Sequence, residues 1–290
     1  MAENKLVKKD KKDLVEFGKS LKDIYANANP FPSIYIDDFF DEKFMREVVK
    51  EFPDLRNKAD YVFNDANQGK LATKGEYKLG DKATELIRFM NSQPFLDFLS
   101  NITGIEKLIP DPALVGGGYH EIKPGGFLKV HADFNKHPDS LLDRRLNVLV
   151  YLNEDWEEEY GGHFELWNES MTDCETKILP LFNRIAMFST TSKSYHGHPN
   201  PLKCPEDRSR KSIALYYYTN GRPQHEIEEF LESHSTIFKA REGVDNKQDT
   251  EKYVTNRIAQ KKKERRKSSA ISIAKSLTPP IIWDLVKKSS

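Results

Sequence analysis

The sequence predicts a mainly β domain with flanking helices, an all-β sandwich or barrel preceded by a helical part. Three observations carry this. From about Leu114 the chain breaks into short apolar runs separated by Gly, Pro and Asn: "GFLKVHADF", "RRLNVLVYLN", "GGHFELWN", "RIAMFST" and "KSIALYYYTN". Runs of this length between turn signals mark sandwiches and barrels. Within them "LNVLVYL" is apolar on both faces, which suits a strand buried between two layers. Before residue 114, by contrast, the apolar spacing is helical in several segments.

Four regions follow along the chain. Residues 1–28 are lysine-rich and read as a helical or poorly ordered lead-in. Residues 29–113 hold helices and a short strand that buttress the β part. Ile34 and Ile36 alternate as a strand, and the segment from Asp41 to Phe52 has helical spacing behind an acidic cap. A second helix is expected around Lys82–Met90, and a third after Pro94 through "FLDFLSNITG". Residues 114–221 form the β-rich core. Residues 222–290 turn charged and helix-like from about His225 and end in "KKKERRKSSAISIAKSLTPPIIWDLVKK". That tail reads either as a solvated segment docking its apolar residues on the domain, or as one that contacts a membrane surface or a partner.

Composition narrows the function classes. With 45 basic and 45 acidic side chains, no whole-molecule field draws nucleic acid, and no nucleic-acid partner is expected. The start "MAENKLVKKDKKDLVEF" lacks the apolar core of a signal peptide. No apolar run approaches the roughly 20 residues of a membrane span. Two cysteines, Cys174 and Cys204, are too few for a disulfide framework or a cysteine-based zinc site. A cytoplasmic location is the expectation.

The chemistry-bearing candidates sit in the β part. His131 and Asp133, in "GGFLKVHADFN", are two apart with small Ala132 between them, so on a strand both reach the same side. Alone, His-x-Asp is equally two polar residues on a solvated edge. Two histidines and one carboxylate form the facial triad that holds non-haem Fe(II) and leaves open positions. A third ligand would come from "TTSKSYHGHPNP", where His196 and His198 are both candidates. In "RKSIALYYY", Arg210, Ser212 and Ala214 share one face, which is small beyond its arginine and leaves room for a ligand. A guanidinium there suits a carboxylate in a water-poor pocket; the competing reading is an arginine facing solvent at a strand start.

Taken in order, "HAD", "YHGHP" and "RKSIALYYY" resemble the catalytic domain of Fe(II)/2-oxoglutarate-dependent dioxygenases, in the prolyl 4-hydroxylase-like branch. "YLNEDW" followed by "GG" is similar to the matching strand and turn of the hypoxia-factor prolyl hydroxylases, and "NPFPSIYIDDFF" to the family's opening segment, so the likeness spans 29–221. The resemblance implies a double-stranded β-helix, or jelly roll. It implies a metal and catalytic set of His131, Asp133 and His196, with His198 as the fallback. Arg210 would bind the far carboxylate of 2-oxoglutarate, helped by Tyr151. The gap from His196 to Arg210 is longer than the family pattern, through the loop "NPLKCPEDRS". Asn147 shares the face of Tyr151 and is either part of the pocket or a buried residue meeting its own hydrogen bonds. His120 and Tyr119 would border the substrate groove. An aspartate at 133 speaks against halogenation, which needs a small residue there.

The implied activity is hydroxylation of an unactivated C–H bond, with 2-oxoglutarate decarboxylated to succinate and CO2. The implied cofactors are Fe(2+), 2-oxoglutarate and O2, with L-ascorbate as a further candidate. The substrate is a peptide or small molecule, a prolyl residue first among the options. Two other readings stand beside this one: a cupin-like metalloprotein that does not use 2-oxoglutarate, and a non-catalytic binding module on the same barrel.

Overall fold

The first three helices each begin at an aspartate cap. In the computed structural model, which describes residues 6–7, 9–227 and 233–250, α1 (Lys11–Ala26) starts at Asp10, whose side chain accepts from the backbone N–H of Lys12 and Asp13. α2 (Glu42–Lys50) is capped by Asp41, and α3 (Leu55–Lys58) by Asp54. α4 (Asp81–Met90) precedes α5 (Gln93–Thr103), which carries Pro94 in its first turn and ends at Gly104, φ 71°. α1 and α5 cross closely: a Cβ at Gly18 would lie 2.9 Å from the Phe98 carbonyl oxygen. The lysine-rich lead-in is therefore a helix for most of its length, with Leu14 and Tyr25 buried.

The strands are β1 (Ser33–Ile36), β2 (Tyr61–Asp65), β3 (Gln68–Ala72), β4 (Ile109–Pro110), β5 (Gly118–Ile122), β6 (Leu128–Ala132) and β7 (Asp143–Tyr151). They continue with β8 (Phe164–Trp167), β9 (Cys174–Ile178), β10 (Ile185–Ser189), β11 (His196–His198), β12 (Arg210–Thr219) and β13 (Ile237–Phe238). The order across the sheet is β1-β10-β7-β12-β5-β3-β6-β11-β8-β9, with β4 beside β12, β2 beside β3 and β13 beside β6. Pairing is antiparallel, and the sheet curls into a barrel-like double-stranded β-helix with helices on one side.

The central strands are covered on both faces. Leu146, Val148 and Val150 of β7, with Ile213, Leu215 and Tyr217 of β12, join Phe95, Phe98 and Leu99 of α5 in the main core. The alternate residues face the barrel interior, where Tyr151 packs with Phe164, Leu166 and Phe188. This two-sided burial explains why "LNVLVYL" shows no polar face.

Two segments differ from the sequence expectation. The hairpin β2–β3 is too polar ("YVFNDANQGKLA") to signal strands, yet β3 lies inside the sheet between β5 and β6. After residue 221 the expected helical texture appears, among the described residues, at α6 (Gln224–Ile227) and again over 247–250. Between the two, β13 adds to β6, with Ile237 opposite Ala132 and Phe238 opposite His131. β3 meets β6 only at the Gln68–Leu128 pair, so the far end of that edge offers backbone partners that override local helical preference. Asn246–Ser290 form a separate unit, of which only 246–250 are described. The basic-apolar tail lies outside the described residues, among which no helix is long and apolar enough to cross a membrane.

Asn183 ties the segment after β1 to the turn before β10. Its Oδ1 accepts from the Phe40 N–H at 3.2 Å and its Nδ2 donates to the Phe40 carbonyl at 2.9 Å, with 0% exposure and φ 59°. Asn183→Ala orphans two buried backbone groups at a left-handed position. It is expected to lower stability by about 3 kcal/mol, read as a lower urea midpoint at unchanged slope. A shift worth less than about 1 kcal/mol would mean that the clamp is dispensable.

Candidate metal and co-substrate site

The register of β11 against β6 sets His196 directly across from His131, with ring centroids 4.4 Å apart. Asp133 follows at the end of β6. Its Oδ1 lies 3.6 Å from His131 Nε2 and its Oδ2 lies 3.5 Å from His196 Nε2. Their candidate ligand atoms all fall within 4.8 Å of one another. His131 Nδ1 donates to the Lys129 carbonyl at 2.8 Å, and His196 Nδ1 to the Ser194 carbonyl at 2.9 Å. Each hydrogen bond fixes the tautomer and turns the Nε2 lone pair toward the shared space. Phe188 and Phe164 pack on the His196 ring, and Phe238 of β13 on His131.

The carboxylate is held from behind. Arg144 Nη2 donates to Asp133 Oδ2 at 2.7 Å, and Asn147 Nδ2 to the same oxygen at 3.1 Å. Arg144 is 0% exposed, and its guanidinium lies 3.5 Å from the ring centre of Tyr216 and 4.4 Å from that of Phe134. Burial opposes ionisation of Asp133, but the Arg144 guanidinium beside it outweighs this and holds the acid well below the usual carboxylate range. Burial, then the neighbouring His131, pushes His196 down to about 3, so its imidazole is neutral at neutral pH. Neutral imidazoles beside an ionised carboxylate are the donor set a divalent ion requires.

Arg144 was not among the residues singled out from the sequence, for a physical reason. Tyr217 pairs with Leu146 but Tyr218 pairs with Arg144, so Arg145 is the extra residue of a β-bulge. The bulge shifts the alternation by one and turns Arg144, not Arg145, toward Asn147 and the interior. Lys70 was also missed, because its strand carries little apolar signal.

A cavity of about 70 Å³ is lined by His131, Asp133, Asn147 and His196, and also by Arg210, Ser212, Lys70 and His198. The three candidate metal ligands therefore share one chamber with Arg210 and Asn147, while Tyr151 lies behind Arg210 rather than on the chamber's lining. Arg210 is buried; its Nε donates to the Gly162 carbonyl at 2.7 Å and its Nη2 to the Tyr151 hydroxyl at 3.3 Å. Gly162 has φ 72°, and a Cβ there would lie 2.6 Å from Leu202 Cδ2 and 3.0 Å from Arg210 Cδ, so the glycine lets the turn grip the arginine. Asn147 lines the cavity but spends its amide on Asp133. His198 lines the cavity without joining the three-residue cluster. His120 lines it too, with Nε2 3.1 Å from the Gly116 carbonyl. Tyr119, expected beside it at a groove, instead packs on Phe52 in the main core at 4.4 Å, because neighbours on a strand face opposite ways.

Residues 117–218 match the family model of the 2OG-Fe(II) oxygenase superfamily. The chain carries a 2OG-Fe(II) oxygenase domain. A prolyl 3,4-dihydroxylase of Ostreococcus tauri is 26% identical over 227 residues, which is 71% of this chain and 41% of that relative's length. The chain thus spans less than half of the curated relative it matches. Among solved structures, a prolyl-4-hydroxylase of Pseudomonas putida superposes with a TM-score of 0.52 at 16% identity, over 70% of this chain and 100% of that one. A prolyl hydroxylase from Trichoplax adhaerens, solved with a peptide fragment of the hypoxia-inducible factor oxygen-degradation domain, gives 0.51 at 18%, over 71% and 91%. These two likenesses place the oxygenase domain on the double-stranded β-helix fold.

Removing the cation behind Asp133 leaves a buried charge without its partner. Metal-free Arg144→Met is expected to lose about 3–5 kcal/mol of stability, measured by denaturant titration. Asp133 is held below its ordinary pKa, so the pair's contribution is present above roughly pH 3.9 and fades as the pH falls through the lower folded-state value. Added Co(II), bringing its own positive charge, should restore more stability to the variant than it adds to the parent. Equal stability of the two metal-free proteins would contradict the assignment.

Proposed function

We propose that this chain is an Fe(II)- and 2-oxoglutarate-dependent hydroxylase acting on a prolyl residue of a polypeptide. The observation that carries the reading is the single chamber in which His131, Asp133 and His196 converge while Arg210 faces the same space. His131, Asp133 and His196 would hold the iron; the ion, with 2-oxoglutarate and dioxygen, supplies the oxidising chemistry, giving succinate and CO2. Arg210, oriented by the Gly162 carbonyl and the Tyr151 hydroxyl, would anchor the distal carboxylate of the co-substrate. Arg144 and Asn147 keep Asp133 ionised and aimed at the ion. Phe164 and Leu149 line the apolar part of the chamber and limit water around the reacting centre.

A cupin-like metalloprotein without 2-oxoglutarate would give the buried Arg210, met here by a carbonyl and a hydroxyl, no carboxylate to bind. A non-catalytic module gives no reason for a complete donor set with fixed tautomers. The prolyl substrate is supported by the name of the relative from Ostreococcus tauri, a prolyl 3,4-dihydroxylase.

The test is anaerobic titration with Fe(II) and 2-oxoglutarate, watched through the weak visible band of the chelate, then aerobic turnover on proline-containing peptides read by mass spectrometry. Succinate should accumulate in step with hydroxyproline. Arg210→Ala should raise the half-saturating 2-oxoglutarate concentration more than about tenfold, the loss of a charge-assisted pair, with iron retained; His131→Ala should lose the iron. Oxygen inserted only at non-prolyl carbon would overturn the substrate assignment, and 2-oxoglutarate binding unchanged in Arg210→Ala would overturn the anchor.

A further inference from the structure

β11 sets His196 and His198 two residues apart, so both rings turn into the barrel, yet only His196 joins the metal cluster. His198 is 4% exposed, and neither of its ring nitrogens has a hydrogen-bond partner. His131 and His196 are each tethered through Nδ1 to a backbone carbonyl; His198 is not. A neutral imidazole has one donor and one acceptor to satisfy, and a buried one left with neither is an exception that calls for a ligand. Its neighbourhood indicates which ligand. Lys70 and Arg210 line the same cavity as His198. Arg210 is itself met by neutral groups, the Gly162 carbonyl and the Tyr151 hydroxyl, and Lys70 stands 5.0 Å over the Phe63 ring. The chamber that His198 lines thus carries two cationic side chains, Lys70 and Arg210, besides the Asp133 carboxylate of the metal cluster.

We propose that His198 is a co-substrate-binding residue whose imidazole N–H donates to the distal carboxylate of 2-oxoglutarate beside Arg210. The inference rests on the 2-oxoglutarate reading of the chamber. It also gives His198 a role distinct from that of a reserve metal ligand.

The experiment uses the full chain with Co(II), without oxygen, and measures affinity for the metal, for 2-oxoglutarate and for pyruvate. Pyruvate keeps the keto-acid end but has no distal carboxylate. His198→Leu should weaken 2-oxoglutarate by about tenfold or more, as loss of a hydrogen bond to a charged group does, while pyruvate and metal affinities stay within about twofold. His198→Gln, which keeps a donor, should stay within about threefold of the parent for all three. Equal weakening of both keto acids marks a structural role and overturns the proposal, and so does loss of metal affinity. If leucine at 198 unfolds the domain, the ratio of the two keto-acid affinities in His198→Ala decides instead. Failure of the unsubstituted protein to bind 2-oxoglutarate would remove the parent reading before any variant is made, so the two failures are distinguishable.

Discussion

The antiparallel register that sets His196 across from His131 is the constraint on which the site depends. Side chains on a strand alternate, so a slip of one residue between β6 and β11 would turn one imidazole out of the barrel and leave Asp133 with a single partner. Neighbouring features pin that register. A Cβ at Gly197 would lie 2.7 Å from the Leu128 carbonyl oxygen, so the two strands approach as closely as a glycine permits. Phe188, Phe164 and Phe238 then wedge the rings, and the Lys129 and Ser194 carbonyls choose their tautomers.

The second requirement is electrostatic. An aspartate this buried would rather be neutral, and a protonated acid is a poor metal ligand. Arg144 reverses the preference, and its own desolvation is offset by two aromatic faces and the carboxylate it serves. The pair is retained at the cost that buried ion pairs carry, which fits a functional rather than a stabilising role. Behind it, the main core of α1, α2, α4 and α5 against β7, β10 and β12 supplies a rigid wall for the strands whose other faces present Asn147 and Arg210 to the chamber.

Much of this was legible in the sequence because it rests on local periodicity. The cap at Asp41, the first-turn Pro94, the two-sided apolar strand, the spacing of His131 and Asp133 and the small face behind Arg210 are all short-range signals. What escaped depends on pairing partners far along the chain. The bulge at Arg145 is invisible until β12 is laid beside β7, and without it strict alternation would turn Arg145 rather than Arg144 toward Asn147. β3 is a strand because β5 and β6 flank it, not because "QGKLA" favours one. β13 exists because β6 has an unfilled edge, and it converts a charged, helix-like segment into the wall beside His131. The motif already favours His196 over His198, and the register supplies the physical reason by setting His196 across from His131.

The most direct measurement is an anomalous-difference map from crystals grown anaerobically with Fe(II). The account predicts one strong peak bounded by Nε2 of His131, Nε2 of His196 and a carboxylate oxygen of Asp133. A peak bound through His198, or iron found only outside the barrel, would contradict it.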